Sequence, residues 1–384
     1  MNPFMPNYGK NLFMSSRPER MFEADFKSAL RYLQSDEISL SPSLLFALSD
    51  LNRQEMQEFA TVWQTLPADK RGRVTQAMVE LAEERIEADF TRIFRYLLDD
   101  ENADVRANAI NGLWEEEEPA LASLLIGALR SDPAAIVRAA AAEALGRFLL
   151  LSETKRVPAA LGDEIETALL AVIRSSDETL VRRRAIESVS YLSSETIRDI
   201  IASAYANDDA KMRATALFAM GRSADPYWKR TVAQELYSPD PQMRFEAARA
   251  VGELEFKAAV PRLIELVQDP DREVQSAAIT SLGQIGGKEA RRALIAIVES
   301  DDEVASEIAQ DALDELEFAS GSNMLLVDIG LESEEEALLA EEWEDEEFDL
   351  DEEDELWRSL PGDEDDDEPR DLLDDGALRP RRKR

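Results

Sequence analysis

One feature constrains this chain more than any other: a short phrase that returns at a nearly fixed interval. It consists of an apolar residue, usually an arginine, several alanine-like positions, and then Leu-Gly or an equivalent. The copies read VRANAINGL from Val105, VRAAAAEALG from Val137, VRRRAIESVS from Val181, MRATALFAMG from Met212, MRFEAARAVG from Met243 and VQSAAITSLG from Val274, with a degenerate seventh near Val304. Successive anchors lie 32, 44, 31, 31, 31 and 30 residues apart, with one insertion, roughly Leu151 to Asp163, between the second and third copies. A period of this length marks one supersecondary unit stacked many times, each unit too small to bury its apolar face alone.

Within a copy the apolar positions fall at i, i+3, i+4 and i+8, as in Val274, Ala277, Ala278 and Leu282, which is the spacing of one helical face. Each anchor is preceded by a second amphipathic stretch, for example Val260, Leu263, Ile264 and Val267. Each unit is therefore expected to be a helical pair. The joining segments SDPAAI, NDDAK, SPDPQ and DPDRE supply side-chain oxygens that can cap the following helix. Gly146, Gly221, Gly252 and Gly283 are expected at the ends of four second helices, where glycine tolerates a left-handed cap. The predicted fold is all-α: an α-solenoid of about seven stacked helical hairpins spanning residues 91–318.

These phrases resemble the HEAT family, in particular its short subclass related to the phycobilisome lyases. The most specific mark is an aspartate in the turn followed six residues later by an arginine. Asp100 and Arg106 match it, as do Asp132 and Arg138. Ser176, Asn207 and Ser238 stand where aspartate would precede Arg182, Arg213 and Arg244, and Gln275 replaces the arginine after Asp269. The resemblance implies a structural Asp/Arg ladder along the turns.

The ends do not repeat. Residues 1–17 are expected to be a flexible N-terminus and residues 18–90 a helical cap over the first unit. From residue 319 the chain becomes an acidic tail with a basic end, RPRRKR. Of the net charge of −38, residues 331–384 carry −18. Like charges at this density, with little apolar surface, predict disorder for residues 319–384. Trp343, Phe348 and Trp357 punctuate the tail and are candidate contacts for a basic, partly apolar partner.

Composition narrows the function. The chain has no cysteine and no histidine. That excludes thiolate nucleophiles, Cys/His zinc sites and the imidazole most often used in acid–base work, as well as the His-Glu di-iron centre of the deoxyhypusine hydroxylase branch of the family. No cofactor and no metal are expected. The carboxylate run Glu115 to Glu118 reads as a solvated loop. Arg183 and Arg184 exceed what the ladder needs and are candidate contacts for an anion or acidic peptide. The N-terminus lacks a signal-peptide core, and no apolar run approaches the roughly 18 residues of a membrane span, so a cytoplasmic location is expected. The reading that follows is a non-catalytic scaffold for a protein partner, with a lyase-like ligand-processing factor as the alternative. Nucleic-acid binding ranks last, because residues 1–330 alone carry −20.

Overall fold

The computed structural model describes residues 25–35 and 41–327, with side chains through residue 318, and every regular element among them is helical. Four helices come first: α1 (Phe26–Gln34), α2 (Pro42–Phe46), α3 (Arg53–Trp63) and α4 (Ala68–Glu84). Seven pairs follow. They are α5 (Thr91–Leu97) with α6 (Ala103–Gly112), α7 (Pro119–Ser131) with α8 (Ala135–Glu153), α9 (Ala159–Ile173) with α10 (Thr179–Val189), and α11 (Glu195–Tyr205) with α12 (Ala210–Arg222). Then come α13 (Lys229–Glu235) with α14 (Pro241–Glu253), α15 (Val260–Leu266) with α16 (Arg272–Ile285), and α17 (Gly287–Val298) with α18 (Glu303–Val327). The second helices stack on one another in the order α4, α6, α8, α10, α12, α14, α16, α18, and each first helix packs against its own second helix.

The anchor residues hold this stack together. Val105, Val137, Val181, Met212, Met243 and Val274 are all buried, as the helical spacing demands. The seventh is different: Val304 is 63% exposed, and α18 buries Ala309, Ala312 and Leu313 instead. The insertion lengthens α8 to 19 residues and α9 to 15 rather than adding a free loop. The turns cap as their sequences suggest, with Asn102, Asp209, Asp240 and Asp271 each accepting from backbone amides at the start of the next helix.

The recurrent glycines serve another purpose than helix termination. Gly146, Gly221, Gly252 and Gly283 lie inside α8, α12, α14 and α16. The left-handed residues after α12, α14 and α16 come three positions later, at Ala224 (φ 49°), Glu255 (φ 47°) and Gly286 (φ 66°). What the interior glycines provide is room. A Cβ on Gly221 would lie 2.7 Å from Ala250 Cα, one on Gly146 2.8 Å from Ser188 Oγ, and one on Gly283 2.7 Å from Ala312 Cβ. Each faces the next second helix, so backbone meets backbone there.

The N-terminal helices join the same stack. Phe59 and Trp63 stack at 5.3 Å, and Trp63 Nε1 donates to Asp100 Oδ2 at 2.8 Å across to the first unit.

Two glycine substitutions therefore have opposite signs. In an exposed helix interior alanine is favoured over glycine by about 1 kcal/mol. Gly127, on α7, has open space around its would-be Cβ, and Gly127→Ala should stabilise by roughly that amount. Gly221→Ala must push α12 off the backbone of α14 and should destabilise by a net 1–3 kcal/mol or so. Urea midpoints followed by far-UV circular dichroism decide both.

Candidate binding surface

The arginine–aspartate pairs at the turns run between units. Arg106 Nη1 donates to the carbonyl of Asp100, six residues back, at 2.7 Å, while Nε and Nη2 form a bidentate pair with the Asp132 carboxylate of the next unit at 2.8 Å each. Arg138 repeats this, donating to the Asp132 carbonyl at 2.8 Å and to Asp177 at 3.0 and 2.6 Å. Arg244 does so with the Ser238 carbonyl at 2.9 Å and with Asp269 at 2.8 Å twice. One guanidinium thus ties its own turn to the next. Upstream, Arg71 of α4 donates to Asp100 at 2.8 Å, so the ladder already begins in the non-repeating segment. Downstream, Gln275 keeps only the backbone contact, donating to the Asp269 carbonyl at 2.6 Å.

Burial opposes ionisation of Asp132 and Asp269, but the hydrogen bonds from Arg106 and Arg244 and from the turn amides outweigh it, and both carboxyls lie below their ordinary value. In Asp177 the Arg138 hydrogen bond is itself the dominant effect, in the same direction.

Two rungs are missing. Arg182 Nε reaches the Ile173 carbonyl at 3.2 Å, and Arg213 reaches only the carbonyls of Asn207 and Asp208, at 3.0 Å each. Neither meets a carboxylate among the described residues, because the next turns present Asn207 and Ser238 where the other turns present aspartate.

Arg183 and Arg184, singled out in the sequence as surplus cations, are engaged within the chain. Arg183 Nε donates to Thr215 Oγ1 at 2.7 Å, and Arg184 pairs with Glu187 at 2.7 Å and Glu143 at 3.3 Å. They form a polar bridge from α8 through α10 to α12. Three residues of the run Glu115 to Glu118 are likewise paired: Glu116 and Glu118 hold Arg95, and Glu117 accepts from Arg156. Trp343, Phe348 and Trp357 lie outside the described residues, as do residues 1–17 and most of the acidic tail.

The sequence phrases did not single out a strip on the second helices of the third to fifth units. Arg222 lies over Tyr191 and Phe218, both at 5.3 Å, and Arg249 lies over Phe218 at 5.4 Å and Phe245 at 5.6 Å. Acids alternate with these cations: Glu253 sits 3.7 Å from Arg222, and Glu246 sits 3.5 Å from Arg249. All are half-buried. Desolvation, aided by the charges of Glu187 and Glu253 and only partly countered by Arg249, pushes the Glu246 carboxyl up to about 7. The signal was available as arginines at i+4 from aromatic residues, Phe218–Arg222 and Phe245–Arg249, in consecutive copies of the phrase.

The family described as HEAT repeats matches residues 64–161 and 230–314. The two matched segments are HEAT repeats. The first matched segment begins upstream of Thr91, in keeping with the place of α4 in the stack. Solved structures similar to the chain include YibA of Escherichia coli, at 19% identity and TM-score 0.38, covering 64% of this chain and 95% of that one. The complex of CpcE and CpcF of phycocyanin lyase from Nostoc sp. gives 15% identity and TM-score 0.40 over 73% and 97%. Human deoxyhypusine hydroxylase gives 18% and 0.31 over 76% and 96%. No curated protein matches the chain by sequence.

The stretch between the two matched HEAT segments, residues 162–229, contains Arg182 and Arg213, where the ladder is interrupted. No helix among the described residues is long and apolar enough to cross a membrane, and none of their His, Cys, Asp and Glu side chains cluster in a way that could hold a metal ion.

Two outcomes follow for the array. The Arg244 and Asp269 side chains are 12% and 5% exposed, so Arg244→Ala leaves a buried carboxylate and a carbonyl without their donor and should cost about 2–4 kcal/mol. The exposed Arg130–Glu164 pair at 3.4 Å should lose under about 0.5 kcal/mol on Arg130→Ala; denaturant titration of the two variants compares them. Glu246 works in the other direction. Its folded value lies above the ordinary one, so the native state binds the extra proton, and stability falls as pH rises from about 4.5 to 7. At roughly 1.4 kcal/mol per unit, Glu246→Gln should gain on the order of 1–3 kcal/mol at pH 8 and little at pH 4.5, read from thermal midpoints at the two pH values.

Proposed function

We propose that the protein is a non-catalytic scaffold that binds a protein partner across the second-helix strip of its third to fifth units. The observation that carries this reading is the row Tyr191, Arg222, Phe218, Arg249 and Phe245. Guanidinium planes are already held over aromatic faces there, so little side-chain entropy remains to be lost on binding. Arginine and aromatic residues are also the types that dominate binding energy at protein interfaces. The interleaved Glu187, Glu246 and Glu253 quench the positive potential that a phosphate backbone would require, which favours a protein surface over a nucleic acid. Glutamates at the strip and the net charge of −18 beyond residue 330 suit a partner with basic segments. The absence of histidine and cysteine favours binding over catalysis, and the cytoplasm is the proposed location.

The test compares the wild-type chain with the double variant Arg222→Ala/Arg249→Ala, each immobilised, in capture from native lysate followed by titration of the captured protein. Affinity should fall at least tenfold in the variant, with the circular dichroism spectrum unchanged. Equal affinity would remove the strip from the reading, and a partner lost only on deleting residues 331–384 would move binding to the tail.

A further inference from the structure

One of the two missing rungs, that of Arg182, coincides with an opening in the array. Among the steps between second helices, α10 to α12 is the least closely packed. Between these units lies a cleft of about 570 Å³ whose lining includes Arg174, Arg182, Asp199 and Asn207. Its apolar wall is built from Ile173, Ile186, Ile200 and Met212. Arg182 makes a single side-chain hydrogen bond, to the Ile173 carbonyl, and the Arg174 guanidinium has no partner among the described residues. Asp199, the cleft's one carboxylate, pairs with neither arginine, so the lining carries two positive charges against one negative.

In the intact rungs the next turn delivers a carboxylate to the ladder arginine at 2.6–3.0 Å. At Arg182 the turn delivers Asn207, whose side-chain oxygen caps Asp209 N at 2.9 Å instead. Arg182 also turns away from the ladder: its Nε, which in the intact rungs faces the next carboxylate, donates to the Ile173 carbonyl nine residues back, so its guanidinium faces the cleft with no carboxylate partner among the described residues.

We propose that this cleft is a carboxylate-binding site occupied by the chain's own acidic segment, residues 331–360. An aspartate or glutamate of that segment pairs with Arg182 and Arg174, and an adjacent aromatic or leucine side chain packs against the isoleucine wall. The segment interleaves acids with Trp343, Phe348, Leu350, Leu356 and Trp357, the mixture such a cleft selects. Length permits it. The cleft lies four units back from α18, on the order of 40 Å at about 10 Å per packed helix, and about 15 extended residues cover that distance. Tethering raises the segment's effective concentration to the millimolar range, so a weak site fills. This inference is independent of the second-helix strip, since no residue of the cleft belongs to it.

The chain's lack of cysteine allows clean double labelling of the full-length protein. Nitroxides at A202C, exposed beside the cleft, and at E346C report their separation by pulsed electron spin resonance. A short, narrow distribution is expected, broadening both in R174A/R182A and in 1 M salt, while the thermal midpoint of the double variant stays within about 2 °C of wild type. A distribution that is broad in every background overturns the proposal. So does a narrow one that survives R174A/R182A, because the segment would then dock elsewhere.

Discussion

The whole array depends on how closely consecutive second helices approach. At Gly146, Gly221 and Gly283 the neighbouring helix comes so near that a single added methyl would overlap Ser188, Ala250 or Ala312. The spacing is set by backbone contact, with no side chain left to adjust it. Everything that joins one unit to the next follows from that distance. A guanidinium anchored on its own turn carbonyl reaches the aspartate of the following turn only because the turns sit one tight helix step apart. The same step brings Arg222 to Glu253 and Arg249 to Phe218 across adjacent helices. The ladder and the arginine–aromatic strip are two edges of one packing decision.

The architecture was legible because a backbone-limited step leaves its mark in composition: small residues must recur wherever helices touch, and they recur with the unit. The function of those small residues was less legible. A glycine late in an amphipathic run looks like a helix end, and α12, α14 and α16 do end one or two residues later, yet the left-handed position falls on Ala224 and Glu255 in two of three cases. Sequence alone cannot tell a glycine needed for conformation from one needed for space, since both appear as the absence of a side chain. The ladder misled in a related way. The six-residue interval between Asp100 and Arg106 suggests a pair inside one unit, but the interval serves the backbone carbonyl, and the carboxylate that matters stands 26 residues away at Asp132. Arg183 and Arg184 carried a readable warning in Glu187, three and four residues on, which is the helical spacing of an ion pair.

Where the ladder lapses, the array is held differently. Between α10 and α12, Arg183 donates to Thr215 Oγ1, which in turn donates to Glu187 at 3.1 Å. This polar bridge works on the second-helix face, whereas the ladder works at the turns. Losing turn contacts while keeping face contacts leaves the two units joined along one edge. The opening lies at the turn edge of that join, beside Arg182. The stretch between the two matched segments, residues 162–229, covers this same join.

Net charge gives a poor guide to what such an opening can bind. Residues 1–330 carry −20, which taken as a uniform field would repel any carboxylate. At physiological ionic strength, however, exposed charges more than about 8 Å apart are largely screened from one another. Most of the acids that produce the total lie far from the cleft, and many, including Asp132, Asp177 and Asp269, already face an arginine at hydrogen-bond distance. What a ligand meets locally is Arg174, Arg182 and Asp199 beside Ile173, Ile186 and Ile200. A strongly acidic protein can therefore hold a site for acid, provided the cations there are the ones its own acids fail to reach.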